Sequence, residues 1–115
     1  MKKITIFITL IICITLTGIA NASRFTIVNH SGMDIYELYV SPAGREIWGT
    51  DLLHGRILKN RQYCSIVWKE GKRKMWDMTA QDATGESITW VGIDVTDVVK
   101  IRLDPVYAHT ELRIE

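Results

Sequence analysis

Apolar and polar positions alternate along this chain in short runs, and turn-forming residues interrupt each run before a helical period is established. In residues 24–29, Phe25 and Ile27 share one face and Thr26 and Val28 the other, the two-residue repeat of a strand. Residues 35–41 (IYELYVS) are rich in β-branched and aromatic side chains and predict a second strand, stopped by Pro42-Ala43-Gly44. Residues 61–69 (RQYCSIVWK) and 72–81 (KRKMWDMTAQ) predict two more. Glu70-Gly71 reads as a tight turn joining them into a hairpin, with Ile66 opposite Met75 and Ser65 opposite Trp76, a register in which the apolar faces match only partly. Residues 87–91 (SITWV) form a strand that runs on to about Asp94. Residues 98–104 (VVKIRLD) form another that ends at Pro105, and 111–114 are a last short strand or a frayed tail.

The connections carry their own signals. Residues 29–32 (NHSG) and 82–85 (DATG) are turns by composition, and 94–97 (DVTD) links two strands. Residues 45–53 (REIWGTDLL) are too short for a helix and are broken by Gly49. They predict a bent crossing segment in which Trp48 and Leu52 or Leu53 plug one end of the core. The fold class is therefore all-β: a small antiparallel β-sandwich of about seven short strands, with a small β-barrel as the alternative that needs the same alternation.

The first 22 residues stand apart from this pattern. Lys2 and Lys3 precede an uncharged apolar run over residues 4–19, and Ala20-Asn21-Ala22 places small residues where a signal peptidase reads. The run is 16 residues long, against the roughly 20 that span a bilayer. It predicts a cleaved secretory signal (1–22) followed by a single β domain (23–115), periplasmic or extracellular, with no membrane span after cleavage. Cys13 follows Ile12 within the run, which does not fit a lipoprotein signal.

Removing the signal changes the chemistry of what remains. Two of the 14 basic residues leave, so 12 face 13 acidic ones and the formal charge passes from +1 to −1. This balance excludes a nucleic-acid binder that relies on a basic footprint. Of the two cysteines only Cys64 remains, so no intramolecular disulfide can form despite an oxidising destination. Cys64 reads as a buried core thiol. All four tryptophans, Trp48, Trp68, Trp76 and Trp90, fall in the β domain, where packing alone must supply stability.

Reactive constellations are few. Loop carboxylates at Asp34, Glu37, Asp51, Asp82, Glu86, Asp94 and Asp97 are the available oxygen ligands. Of these Asp51, Asp82, Asp94 and Asp97 are the candidates for calcium, which takes six to eight oxygens. None has the spacing of an EF-hand loop, and turn capping by Asp82 and Asp94 explains the pattern equally. His30, His54 and His109 are widely separated, with no H-E-x-x-H motif for zinc and no G-x-S-x-G elbow for acyl transfer. The basic cluster at residues 69–74 reads as a solvated hairpin tip that discourages edge pairing. Trp68 and Trp90 are read as core residues, with a sugar-stacking platform as the alternative. Asn29-His30-Ser31 fits a glycosylation acceptor only formally, because the signal has a bacterial style.

One resemblance covers most of the domain. Residues 25–42, F-T-I-V-N-H-S-G-M-D-I-Y-E-L-Y-V-S-P, followed by W-G-T-D-L-L at 48–53, resemble a group of small exported bacterial proteins of uncharacterised function. Their pattern is N-x-(S/T)-G-x-x-I-x-x-L-Y-V-S-P, then W-G-x-D-x-L. Trp76-Asp77 and the acidic turn at 82–85 are similar too. The resemblance implies an exported all-β domain and brings no activity, substrate or cofactor. The chain departs from it after Leu53, at residues 54–60 (HGRILKN), and at the basic residues 72–74. For the matched positions we expect structural roles. Asn29 and Gly32 shape a first hairpin connection, Pro42 ends a strand, Trp48 plugs the core, and Asp51 accepts hydrogen bonds that fix its loop. The reading that follows is a non-catalytic exported accessory or binding domain, directed at a protein or cell-envelope component. A calcium-dependent binding domain and a small secreted enzyme or enzyme inhibitor are the alternatives.

Overall fold

A computed structural model describes residues 23–69 and 74–112, and the alternation resolves there into seven strands. They are β1 (Ser23–Asn29), β2 (Glu37–Pro42), β3 (Tyr63–Trp68), β4 (Met75–Gln81), β5 (Ser87–Asp94), β6 (Val98–Leu103) and β7 (Ala108–Leu112). A four-stranded sheet has the order β3-β1-β6-β7 and a three-stranded sheet the order β2-β4-β5. The domain is a β-sandwich, and among the described residues no strand pairing closes the two sheets into a barrel. The signal-like segment 1–22 and residues 70–73 of the basic cluster lie outside the described residues.

The inner faces follow the two-residue repeat. Phe25 and Ile27 of β1, Ile66 and Trp68 of β3, and Val98, Ile101 and Leu103 of β6 form one wall of the core. Leu38 and Val40 of β2, Trp76, Met78 and Ala80 of β4, and Trp90 and Ile93 of β5 form the other. The Val, Leu, Ile, Phe and Met side chains among them contribute about 1.5–3 kcal/mol each when fully buried. Phe25 stacks on Trp68 with centroids 4.2 Å apart, and Trp68 tilts against Trp76 across the sandwich at 5.9 Å. Trp90 is buried and its indole Nε1–H donates to the Asp104 carbonyl at 2.8 Å, tying β5 to the end of β6.

Three expectations about connectivity are corrected. First, β3 and β4 are not a hairpin: β3 pairs with β1, with Ile66 opposite Phe25, while β4 pairs with β2 and β5, with Met75 opposite Asp94. The partly matched register of the hairpin would leave the apolar sets of the two strands misaligned. Crossing between the sheets turns both Trp68 and Trp76 into one core. Second, β1 and β2 also lie in different sheets, so Asn29 and Gly32 shape a crossover and not a hairpin. Third, β1 runs parallel to β6, in a fold that is otherwise antiparallel. The final strand starts earlier than expected, at Ala108, because Asp104 N–H donates to Tyr107 O at 2.8 Å and closes a turn back along β6.

Asn29 shows how the first crossover is held. It is fully buried, and its amide nitrogen donates to Met33 O at 2.8 Å and Leu58 O at 2.9 Å. Its oxygen accepts from Ser31 N at 3.0 Å and from the Ser31 hydroxyl at 2.6 Å. Both donors and both acceptor positions of the side chain are thus used. Gly32 follows with φ 93°, a conformation that favours glycine, and its N–H donates to Asn60 Oδ1 at 3.0 Å.

Candidate functional site

The outer face of the three-stranded sheet is where side-chain chemistry collects. Outward-facing residues pair across the strands in rows: Ser41 with Asp77, Tyr39 with Thr79 and Thr89, Glu37 with Gln81 and Ser87. The middle row is a polar floor. Thr79 and Thr89 share a hydroxyl–hydroxyl hydrogen bond of 2.9 Å, and the Thr79 hydroxyl also reaches Ile88 O at 3.3 Å. At the rim, the Tyr39 hydroxyl donates to the Glu37 carboxylate. That bond to a negative group, with burial and the charges of Glu37 and Asp51, pushes the phenol pKa up to about 12.

The loop after β2 folds over one end of this face and converts it into a groove. The Ile47 N–H donates to the Ser41 hydroxyl at 2.8 Å, so Ser41 is fully buried although it points outward. The loop then turns along the free edge of β2, with Gly49 N–H on Val40 O at 3.4 Å and Leu52 N–H on Leu38 O at 2.8 Å. Asp51 fixes this return. Its Oδ1 accepts from Leu38 N at 3.0 Å and Leu53 N at 2.9 Å, and its Oδ2 from Gly55 N at 3.2 Å. Leu52 and Leu53 enter the core from here. Trp48 does not: it is half-buried and forms a wall of the groove with Glu46, whose backbone is left-handed at φ 51°. Its expected place as a core plug is corrected, because the edge bonds of the loop direct Leu52 and Leu53 inward and leave Trp48 over the outer face.

Asp77 closes the back of the groove. A β-bulge sits beside it: Trp76 pairs with Ile93 and Met78 with Trp90, so Asp77 alone opposes Val91 and Gly92. Gly92 takes φ 67°, and its N–H donates to Asp77 Oδ1 at 2.9 Å. The Gly44 N–H of the covering loop donates to Asp77 Oδ2, also at 2.9 Å. One carboxylate therefore joins the bulge, the central strand and the loop, while only 6 % of Asp77 is exposed. The resulting groove holds about 540 Å³, and none of the described residues lining it is basic.

The metal candidates do not come together. Asp51 lies on the loop beside β2, Asp82 on the β4–β5 turn, and Asp94 and Asp97 at the β5–β6 turn. The Asp82 carboxylate accepts from the Thr84 hydroxyl and Thr84 N, both at 2.8 Å, and from Glu86 N at 3.0 Å. These bonds, the Thr84 hydroxyl foremost, hold its pKa below the usual carboxylate range. Asp94 accepts from Thr96 N at 2.9 Å and is lowered for the same reason. Asp97 adopts a left-handed turn at φ 57°. Among the described residues, no three His, Cys, Asp or Glu side chains gather into a group suited to a metal ion.

The remaining expected positions are structural. Pro42 is the last residue of β2, opposite Trp76. Trp68, Trp76 and Trp90 are core residues, so a sugar platform built on Trp68 and Trp90 is ruled out. Cys64 is half-buried and not fully buried, because it lies on edge strand β3 opposite Ile27. Burial pushes its thiol pKa up, with Arg56 acting in the opposite sense. Sequence reasoning missed Asp77, Thr79, Thr89 and Glu46 as a group. Gly92 within a predicted strand was the one local signal, since an interior glycine marks a bulge.

Compared with known proteins, the chain matches no family model, no curated protein and no solved structure. Among the described residues no helix is long and apolar enough to cross a membrane.

Proposed function

We propose that this chain is an exported, non-catalytic binding domain whose ligand site is the groove over β2, β4 and β5. The observation that carries this reading is the construction of the groove. A polar floor of Thr79 and Thr89 shares the groove with two aromatic side chains, Tyr39 and Trp48, and with a buried carboxylate, Asp77. Ligand sites of comparable size combine apolar or aromatic walls with a few fixed polar groups in this way. The hydrogen bonds of Asp77 and Asp51 hold the covering loop in place before any ligand arrives, which lowers the ordering cost of binding. Export is supported by the pattern of residues 1–22, and the resemblance to small exported bacterial proteins agrees with it.

Two measurements test the reading. The full chain is expressed in a bacterial host, and the product recovered from the export compartment should begin at Ser23. An uncleaved product retained with the inner membrane would overturn export. The recovered protein is then screened by two-dimensional NMR against saccharides, amines, carboxylates and nucleotides. At least one class should shift the amides of Thr79, Thr89 and Val91 together with the Trp48 indole. Shifts confined to other surfaces, or none at all, would remove the groove as a binding site.

A further inference from the structure

We propose that the groove selects a small organic cation carrying a primary ammonium group, of the diamine or polyamine class. The inference rests on the groove being the ligand site and adds the chemistry of what fills it. Charge complementarity carries it. Asp77 and Glu46 both line the groove, Glu37 is held at its rim by Tyr39, and among the described residues none that lines the groove is basic. The ion pairs among the described residues all lie on the other side of the molecule, between Lys100 and Glu111 and between Asp104 and Arg102 or His109. Asp77 is nine-tenths buried, and its described partners are two neutral backbone N–H groups. A carboxylate offers about four acceptor positions, so lone pairs remain for a donor that arrives with positive charge.

The aromatic walls point the same way. An ammonium group is attracted to the faces of tryptophan and tyrosine, and the attraction grows as water is excluded. An anion would meet the negative faces of Trp48 and Tyr39 as well as two carboxylates. A neutral sugar would use the threonine floor and leave the carboxylates without a counter-charge. Because Asp77 already accepts a bond on each oxygen, a compact ammonium on a thin alkyl stem suits it better than a fork that needs both oxygens at once. The second carboxylate, Glu46, favours a ligand with a second amine.

Isothermal titration and two-dimensional NMR with spermidine, 1,5-diaminopentane, a lysine-containing tripeptide, maltotriose and glutarate test the proposal. The amines should shift Thr79, Thr89 and the Trp48 indole, and binding should weaken with added salt. Glu46→Gln and Trp48→Ala lie on the covering loop, outside the core, and each should weaken amine binding about tenfold. Asp77→Asn should weaken it further, with its melting curve recorded to separate binding from folding. Tripeptide binding that exceeds both free amines would overturn the small-molecule assignment. Maltotriose or glutarate shifting the groove where millimolar amines do not would overturn the cation and leave the groove as a binding site. Amine binding that survives both loop substitutions would overturn the site. No groove binding by any probe would overturn both the cation and the proposed function.

Discussion

Asp77 on β4 accepts the backbone N–H of Gly92 on β5 at 2.9 Å, and so satisfies the amide that the β-bulge leaves out of the ladder. The same carboxylate takes the Gly44 N–H of the covering loop. Asp77→Ala leaves both amides without their acceptor, and a stranded buried donor costs about 1–3 kcal/mol. We expect a fall in the urea midpoint of that order with an unchanged slope. Gly92→Ala forces an alanine into a left-handed conformation, at about 1–2 kcal/mol. A midpoint for Asp77→Ala within about 0.5 kcal/mol of the parent would mean that the loop and bulge are held by something else.

Asn29 is the second polar group on which the fold depends. All four of its hydrogen bonds are internal, and two of them cross to Met33 and Leu58. Asn29→Ala should destabilise by about 2–4 kcal/mol, because two carbonyls lose a donor in a buried site. Asn29→Asp should cost more, since it sets a carboxylate oxygen against those carbonyls. Chemical denaturation of both variants decides the point: an aspartate variant as stable as the parent is the outcome against it.

The tryptophans should separate cleanly by position. Trp90 is enclosed and donates to Asp104, so Trp90→Ala should cost about 3–5 kcal/mol. Trp48 is half-buried outside the core, and its truncation should cost less than about 1 kcal/mol. Iodide quenching gives a second readout, because Trp48→Phe should remove most of the accessible fluorescence. A Trp48→Ala variant that fails to fold would return Trp48 to the core.

Tyr39 gives a pH test. Its phenol pKa is raised to about 12 by the bond to Glu37, burial and nearby carboxylates. Raising an acid's pKa in the folded state favours its protonated form. This contribution to stability is therefore complete below the ordinary tyrosine value, near pH 10, and is lost as pH rises through about 12. Absorbance titration should show the Tyr39 phenol ionising late. Glu37→Gln should bring that transition down, and a late tyrosine that persists in that variant would show that Glu37 is not the cause.

The period-two pattern by itself determined the strands and most of their inward faces. Alternation is local, and residues such as Phe25, Ile27, Ile101 and Leu103 face the core wherever their strand is placed. The sequence also marked the segment around Gly49 as irregular and pointed to Leu52 or Leu53 for the core, and the structure buries both. Pairing is not local. Whether β3 folds back on β4 or crosses to the other sheet depends on where Trp68 and Trp76 can be buried together, and adjacent strands in a sequence carry no record of that. The groove belongs to the same class. Glu46, Trp48, Asp77 and Thr89 are separated along the chain, and only the edge bonds of the loop and the bulge at Gly92 bring them to one face. Local periodicity decides which way a side chain points from its strand, whereas the choice between competing pairings is made by the burial and hydrogen bonding of the whole molecule.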